Sequence, residues 1–170
     1  MKRVAVIPNT KKDVSLSLTA KIVDILSSGG AEVLLPESVS ESGLNATYLS
    51  KKNIFDSADC VVTVGGDGTI LGIAESVSQR DIPVIGVNLG RMGFMAELEP
   101  DELDLLLNVI NGSFTVEKRM MLDVKVVRNG ETVSTYRALN DIVVSKGSIS
   151  KIAELDLYCN GTCVSHFNSD

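Results

Sequence analysis

The fold turns on Cys60-Val61-Val62-Thr63-Val64-Gly65-Gly66-Asp67-Gly68-Thr69-Ile70-Leu71. Residues 60–64 form a β-branched apolar run without polar alternation, the pattern of a strand buried on both faces of a parallel sheet. Three glycines in four residues follow. Ile70, Leu71, Ile73, Ala74 and Val77 then recur at helical spacing. The glycines therefore fall between the carboxyl end of a strand and the start of a helix. Unpaired backbone N–H groups and a positive dipole end favour an anion there. Glycine also lets a phosphate or a ribose approach the backbone closely. Asp67 is out of place in an anion cradle, because a carboxylate repels a bare phosphate. It is expected to serve a hydroxyl or a metal ion, and the pairing suggests phosphoryl transfer to a hydroxyl. The plain structural alternative is a tight turn held by an Asx bond from Asp67.

Upstream, residues 3–8 are a short apolar run, read as the first strand. Asn9, Thr10, Lys11 and Lys12 form the loop at its carboxyl end, where the two lysines can meet phosphate or simply face water. Val14, Leu18, Ile22, Ile25 and Leu26 predict a helix with Asp13 as its cap, and Gly29-Gly30 ends it. Residues 33–35 are the second strand, and residues 36–53 read as a polar excursion over the sheet. Downstream, residues 82–87 form the next strand, with Pro83 at its start. Alternating strands and helices of this length imply an α/β fold with a doubly wound parallel sheet. Ligands bind such sheets at the carboxyl ends of the strands. The glycine turn lies on that edge, and so does the next loop, Asn88-Leu89-Gly90-Arg91-Met92-Gly93-Phe94. Pro100 is expected at the first position of a helix carrying Leu103, Leu106, Leu107 and Ile110, closed by Gly112.

The periodicity changes after Ser113. Residues 121–128 and 132–139 flank Asn129-Gly130, and residues 152–159 and 162–167 flank Asn160-Gly161, two hairpins with type I′ turns. Residues 142–145 are a further apolar run. Two domains are thus expected: an α/β nucleotide-binding domain over 1–115, and from 116 to 170 the beginning of an incomplete all-β, sandwich-like domain. About fifty residues of meander cannot bury both faces of a sheet. The expectation is that the β unit is truncated or completed by another chain.

At 170 residues and 44% apolar content, one sizeable core is available. A net charge of −6 argues against non-specific nucleic-acid binding. No apolar stretch reaches the ~18 residues of a membrane span, and the immediate start of the first strand leads us to expect no signal peptide. Three cysteines without a framework (Cys60, Cys159 and Cys163) suggest a reducing, cytoplasmic setting. The single histidine, His166, lies in a strand-like run and is read as structural.

Together, Gly65-Gly66-Asp67-Gly68-Thr69, Asn88-Leu89-Gly90-Arg91-Met92-Gly93-Phe94 and Asn140-Asp141 resemble NAD kinases in order and approximate spacing, over the whole chain. The glycine motif alone is shared with diacylglycerol-type lipid kinases and phosphofructokinases; the other two motifs discriminate. The resemblance implies transfer of the terminal phosphate of ATP, or of polyphosphate, to the 2′-hydroxyl of the adenosine ribose of NAD. It implies Asp67 as the essential aspartate beside that ribose, with Gly66, Gly68, Thr69, Asn88, Phe94, Asn140 and Asp141 binding the nucleotide. At Asp141 the family often carries Glu, so the shorter acid alters the reach. Asp67 can take the hydroxyl proton, position the hydroxyl, or hold magnesium through water. With no Walker-A lysine spacing, the phosphates fall to backbone amides, Mg2+ and scattered cations, for which Arg91 and Lys146 are candidates. No residue is assigned as a protein ligand to a metal. The resemblance further implies NAD and ATP as small-molecule partners, neither nucleic acid nor membrane, a homo-oligomer in the complete protein, and missing sequence beyond Asp170 that would leave this chain weakly active. Two other readings stand beside it: a lipid kinase, and a non-catalytic nucleotide-binding fragment.

Overall fold

A computed structural model describes residues 2–90, 93–145 and 153–169. The chain divides into two units, Met1–Leu139 and Asn140–Asp170.

The first unit is built on a five-stranded parallel sheet. Its strands are β1 (Arg3–Pro8), β2 (Glu32–Pro36), β3 (Thr47–Leu49), β4 (Cys60–Gly65) and β5 (Val84–Asn88), in the order β3-β2-β1-β4-β5. Alternation within each strand sorts the apolar side chains onto two faces. Val4 and Val6 of β1, Val33 and Leu35 of β2, and Val62 and Val64 of β4 enter one core. Helices α1 (Ser17–Ser28) and α5 (Leu106–Asn111) cover it through Ile22, Leu26 and Leu106. Ala5, Leu34 and Val61 point the other way, onto Ile54 and Phe55 of α2 (Lys51–Ser57) and Val77 of α4 (Ala74–Ser78). Every residue of β4 is buried, as its unbroken apolar run requires.

The doubly wound expectation is met, with local corrections. Asp13 is not adjacent to the helix it caps. Leu16 takes a left-handed conformation (φ 54°), and α1 starts at Ser17. The Asp13 carboxylate nonetheless accepts from the amides of Leu18 (3.3 Å) and Thr19 (2.9 Å) and from the Thr19 hydroxyl (2.6 Å). Val14, expected on the helix's apolar face, is 79% exposed. The polar excursion at 36–53 contains a 3-10 helix (Glu37–Ser42), the edge strand β3 and the start of α2. A three-residue edge strand is too short to show a period. The helix after the glycine turn is α3 (Asp67–Leu71), which begins inside the turn and breaks from α4 at Gly72 and Ile73. Pro100 opens no helix: a 3-10 turn starts at Leu103 and passes into α5, which ends at Gly112 with φ 73°.

Beyond Ser113 this unit holds one hairpin, β6 (Leu122–Arg128) with β7 (Glu131–Ala138), turning at Asn129 and Gly130, both at positive φ. The second unit contains the hairpin β8 (Ala153–Cys159) with β9 (Thr162–Ser169), turning in the same way at Asn160 and Gly161. The apolar run 142–145 forms no strand.

Candidate functional site

The strand order fixes where a ligand can sit. From β1 the chain moves outward to β2 and β3, then returns to β4 on the other side of β1. The connections after β1 and after β4 leave on opposite faces, so a crevice opens between their carboxyl ends. Asn9 locks the two loops together. Its amide donates to the Val64 carbonyl (2.8 Å) and its side-chain nitrogen reaches Thr69 Oγ1 (3.4 Å). The β5 loop joins through the Leu89 amide, which donates to the Gly65 carbonyl (3.0 Å).

None of Gly65, Gly66 and Gly68 has a positive φ, and at Gly65 the glycine serves close approach rather than backbone conformation. A Cβ on Gly65 would overlap Thr69 Oγ1 and lie 3.1 Å from Asn9 Cβ. A Cβ on Gly66 would lie 3.4 Å from Lys12 Nζ and 3.9 Å from Asn88 Oδ1. Gly68 faces open space. Lys12 therefore brings a cation to the turn from the β1 loop, 54 positions away in sequence. The pair Lys11-Lys12 was legible as a phosphate candidate, but only the crossover shows which lysine reaches the glycines.

Asn88 is 2% exposed. Its nitrogen donates to the Gly90 carbonyl (3.1 Å), and its Oδ1 is buried without a partner among the described residues. An acceptor in that state normally finds a donor, and this one is directed toward Gly66.

The Asp67 carboxylate holds the loop that follows β5. It accepts from the backbone amides of Phe94 (2.9 Å), Met95 (3.1 Å) and Ala96 (3.3 Å). Those bonds, Phe94's first, hold its carboxyl below the ordinary carboxylate value. Desolvation opposes them, and the positive charge of Arg119 adds to them. Three donors stabilise the ionised form. Gly93 makes the approach possible, because a Cβ there would overlap the carboxylate. The Asx-turn alternative is not what Asp67 does: its partners lie 27 to 29 positions away. Sequence reasoning did not anticipate this contact, since nothing in the two motifs shows that one grips the other. Phe94 is 96% exposed, so its ring is no part of the core.

Asn140 and Asp141 belong to the second unit, where both are exposed and Asn140 Nδ2 donates to Asp141 Oδ2 (2.9 Å). Arg91 and Lys146 lie outside the described residues. Among the described residues there is no group of three or more His, Cys, Asp or Glu side chains that could hold a metal ion, and no helix long and apolar enough to cross a membrane.

Residues 4–114 match the family model described as the ATP-NAD kinase N-terminal domain. The chain is 38% identical to an NAD kinase of Thermoanaerobacter sp. (strain X514) and 36% identical to one of Natranaerobius thermophilus. Both comparisons cover all of this chain, but only 61% and 60% of those relatives. The fold is that of a yeast NADH kinase crystallised with NADH, with a TM-score of 0.85 at 19% identity, over all of this chain and 56% of that one. The chain thus spans about three-fifths of the length of the curated relatives it matches. The family match separates it from the lipid kinases that share only the glycine turn.

Proposed function

Because the chain belongs to the ATP-NAD kinase family, we propose that the protein transfers the terminal phosphate of ATP, or of polyphosphate, to the 2′-hydroxyl of the adenosine ribose of NAD. The observation that carries the reading is the meeting of opposite charges at one glycine turn. Lys12 stands beside Gly66, and Asp67 follows directly. A cation suits the donor phosphates, and a carboxylate suits the acceptor hydroxyl. Phosphoryl transfer depends on such positioning and charge placement more than on covalent chemistry.

In this reading Asp67 orients the ribose hydroxyl and takes its proton. Its Oδ2 accepts from Phe94 alone among the described residues, which leaves a lone pair on that oxygen for the hydroxyl while the 94–96 loop stays held. Gly66, Gly68 and Thr69 leave room for the sugar and phosphates along the turn, and Asn88 Oδ1 accepts from the ligand. The exposed Phe94 ring stacks on a base. Asn140 and Asp141 contribute to the NAD site, with residues 1–115 as the nucleotide-binding domain and the β-rich stretch from 116 as the start of an NAD-binding one. Arg91 and Lys146 are held as further phosphate contacts. The single carboxylate at the turn makes no metal cage, which suits magnesium carried on the nucleotide phosphates, where it neutralises their charge. A cytoplasmic homo-oligomer completes the proposal.

The test is NADP formation from NAD, ATP and magnesium by the protein at the full length of its relatives. Turnover is expected. In Lys12→Met, KM for ATP should rise about tenfold, the worth of one ~1.4 kcal/mol contact, with NAD affinity unchanged in calorimetry. A protein that binds NAD and ATP without forming NADP would support the non-catalytic reading instead.

A further inference from the structure

The β8–β9 hairpin carries a second constellation, which the kinase reading does not use. The His166 Nδ1 atom lies 2.6 Å from Asp156 Oδ1, and its Nε2 lies 3.3 Å from Cys163 Sγ. The thiol also lies 3.9 Å from the Ser165 carbonyl, a second possible acceptor for its proton. Strand periodicity alone would place Cys163 and His166, three residues apart, on opposite faces. The register shift between Leu157 and Tyr158 removes that obstacle. Ser165 pairs with Leu157 and Cys163 with Tyr158, so Val164 is an extra residue. The bulge brings Cys163 onto the face that carries the directly opposed pair Asp156 and His166.

We infer that Cys163, His166 and Asp156 form a nucleophilic thiol site that exchanges with small disulfides. His166 Nε2 accepts the Cys163 proton, and the thiolate attacks one sulfur of the disulfide. A mixed disulfide forms on Cys163 as the disulfide's own S–S bond breaks. The departing thiolate takes the proton back from the imidazolium and leaves as a thiol. One thiol and one disulfide are consumed, and one of each is made. Asp156 is the positioning residue: holding Nδ1–H, it leaves Nε2 bare toward the sulfur, as the carboxylate does in hydrolase triads.

The access is open. Cys163 is exposed, as are the side chains of His166 (74%) and Asp156 (54%). The adduct is expected to persist, because Cys159 pairs with Thr162 and lies on the opposite face of the ribbon, away from Cys163. Cys60 does not compete: it is buried, and that burial pushes its thiol up to about 11.

The hairpin supplies its own control. Cys159 is also exposed, on the same hairpin. The full chain is treated with glutathione disulfide, and adduct formation is followed at each cysteine by peptide mass spectrometry. Cys163 should react about tenfold faster than Cys159, as a thiol with a positioned base does. His166→Gln should bring it down to the Cys159 rate. His166 is the only histidine, so its ring nitrogens can be read directly by 15N NMR. Asp156→Asn should move the ring proton to Nε2 and slow Cys163, with Cys159 unaffected. Equal rates for the two cysteines in the unaltered chain would overturn the site. So would a Cys163 rate that His166→Gln leaves unchanged, or a tautomer that Asp156→Asn does not alter.

Discussion

In the proposed reaction Asp67 would serve a ribose hydroxyl while three backbone amides already take three of its about four acceptor positions. The same bonds lower its proton affinity, so it is ionised at neutral pH but a weaker base. The latch is therefore present above the ordinary carboxylate value and is lost as pH falls through the depressed one. Asp67→Asn should keep the fold and most NAD affinity, and reduce kcat by about 10²–10⁴, the range for losing a general base. Near-normal kcat would remove Asp67 from the chemistry. Gly93→Ala is the complementary variant. Its Cβ overlaps the carboxylate and should expel it from the amides. The acid limb of kcat/KM against pH should then move upward, toward the value of an unencumbered carboxyl. An unchanged limb would mean that the latch does not control Asp67.

At the scale of elements, α1 depends on a residue outside it. Asp13 is only 4% exposed and satisfies two amides and a hydroxyl at the helix start. Asp13→Ala would leave those donors buried and unpaired, at a cost of about 1–3 kcal/mol. In a chain of this size each kcal/mol lowers Tm by about 2–4 °C, which calorimetry can follow; an unchanged Tm would mean that water replaces the carboxylate. The same loop carries Lys12 and Asn9, so a helix cap and the proposed phosphate contact share one tight turn. That turn is closed by the Lys12 and Asp13 amides donating to the Asn9 carbonyl (3.0 and 2.9 Å). A variant at Asp13 should therefore also raise KM for ATP.

For the whole molecule, stability should be uneven. β1 and β4 are central strands, with buried apolar side chains on both faces of the sheet. The β8–β9 hairpin is two strands whose described side chains are almost all exposed, and a lone two-stranded ribbon is marginal in water. Hydrogen exchange should show β4 amides opening only with global unfolding, about 5–15 kcal/mol for a domain, and β9 amides opening at a small fraction of that. Equal protection would show that the hairpin is cooperative with the sheet.

Local sequence specified the strands other than β3, the glycine turn and the hairpin turns. Each of these is written locally: β-branched runs for buried strands, and Asn-Gly where positive φ is needed. It also carried the family, because the motifs keep their order along the chain. The 3-10 helix, β3 and α2 within 36–53 were hidden because short edge elements bury too few residues to impose a period. Tertiary packing alone reveals that Lys12 faces Gly66, that Asp67 grips the amides of 94–96, and that Asn88 Oδ1 is aimed at Gly66. Those contacts span 22 to 54 positions and exist because a crossover brings separate strand ends to one edge. Likewise, a single extra residue at Val164 put Cys163 on the face of His166. A change of register reverses which side chains share a face, and one strand read alone does not show where its partner slips.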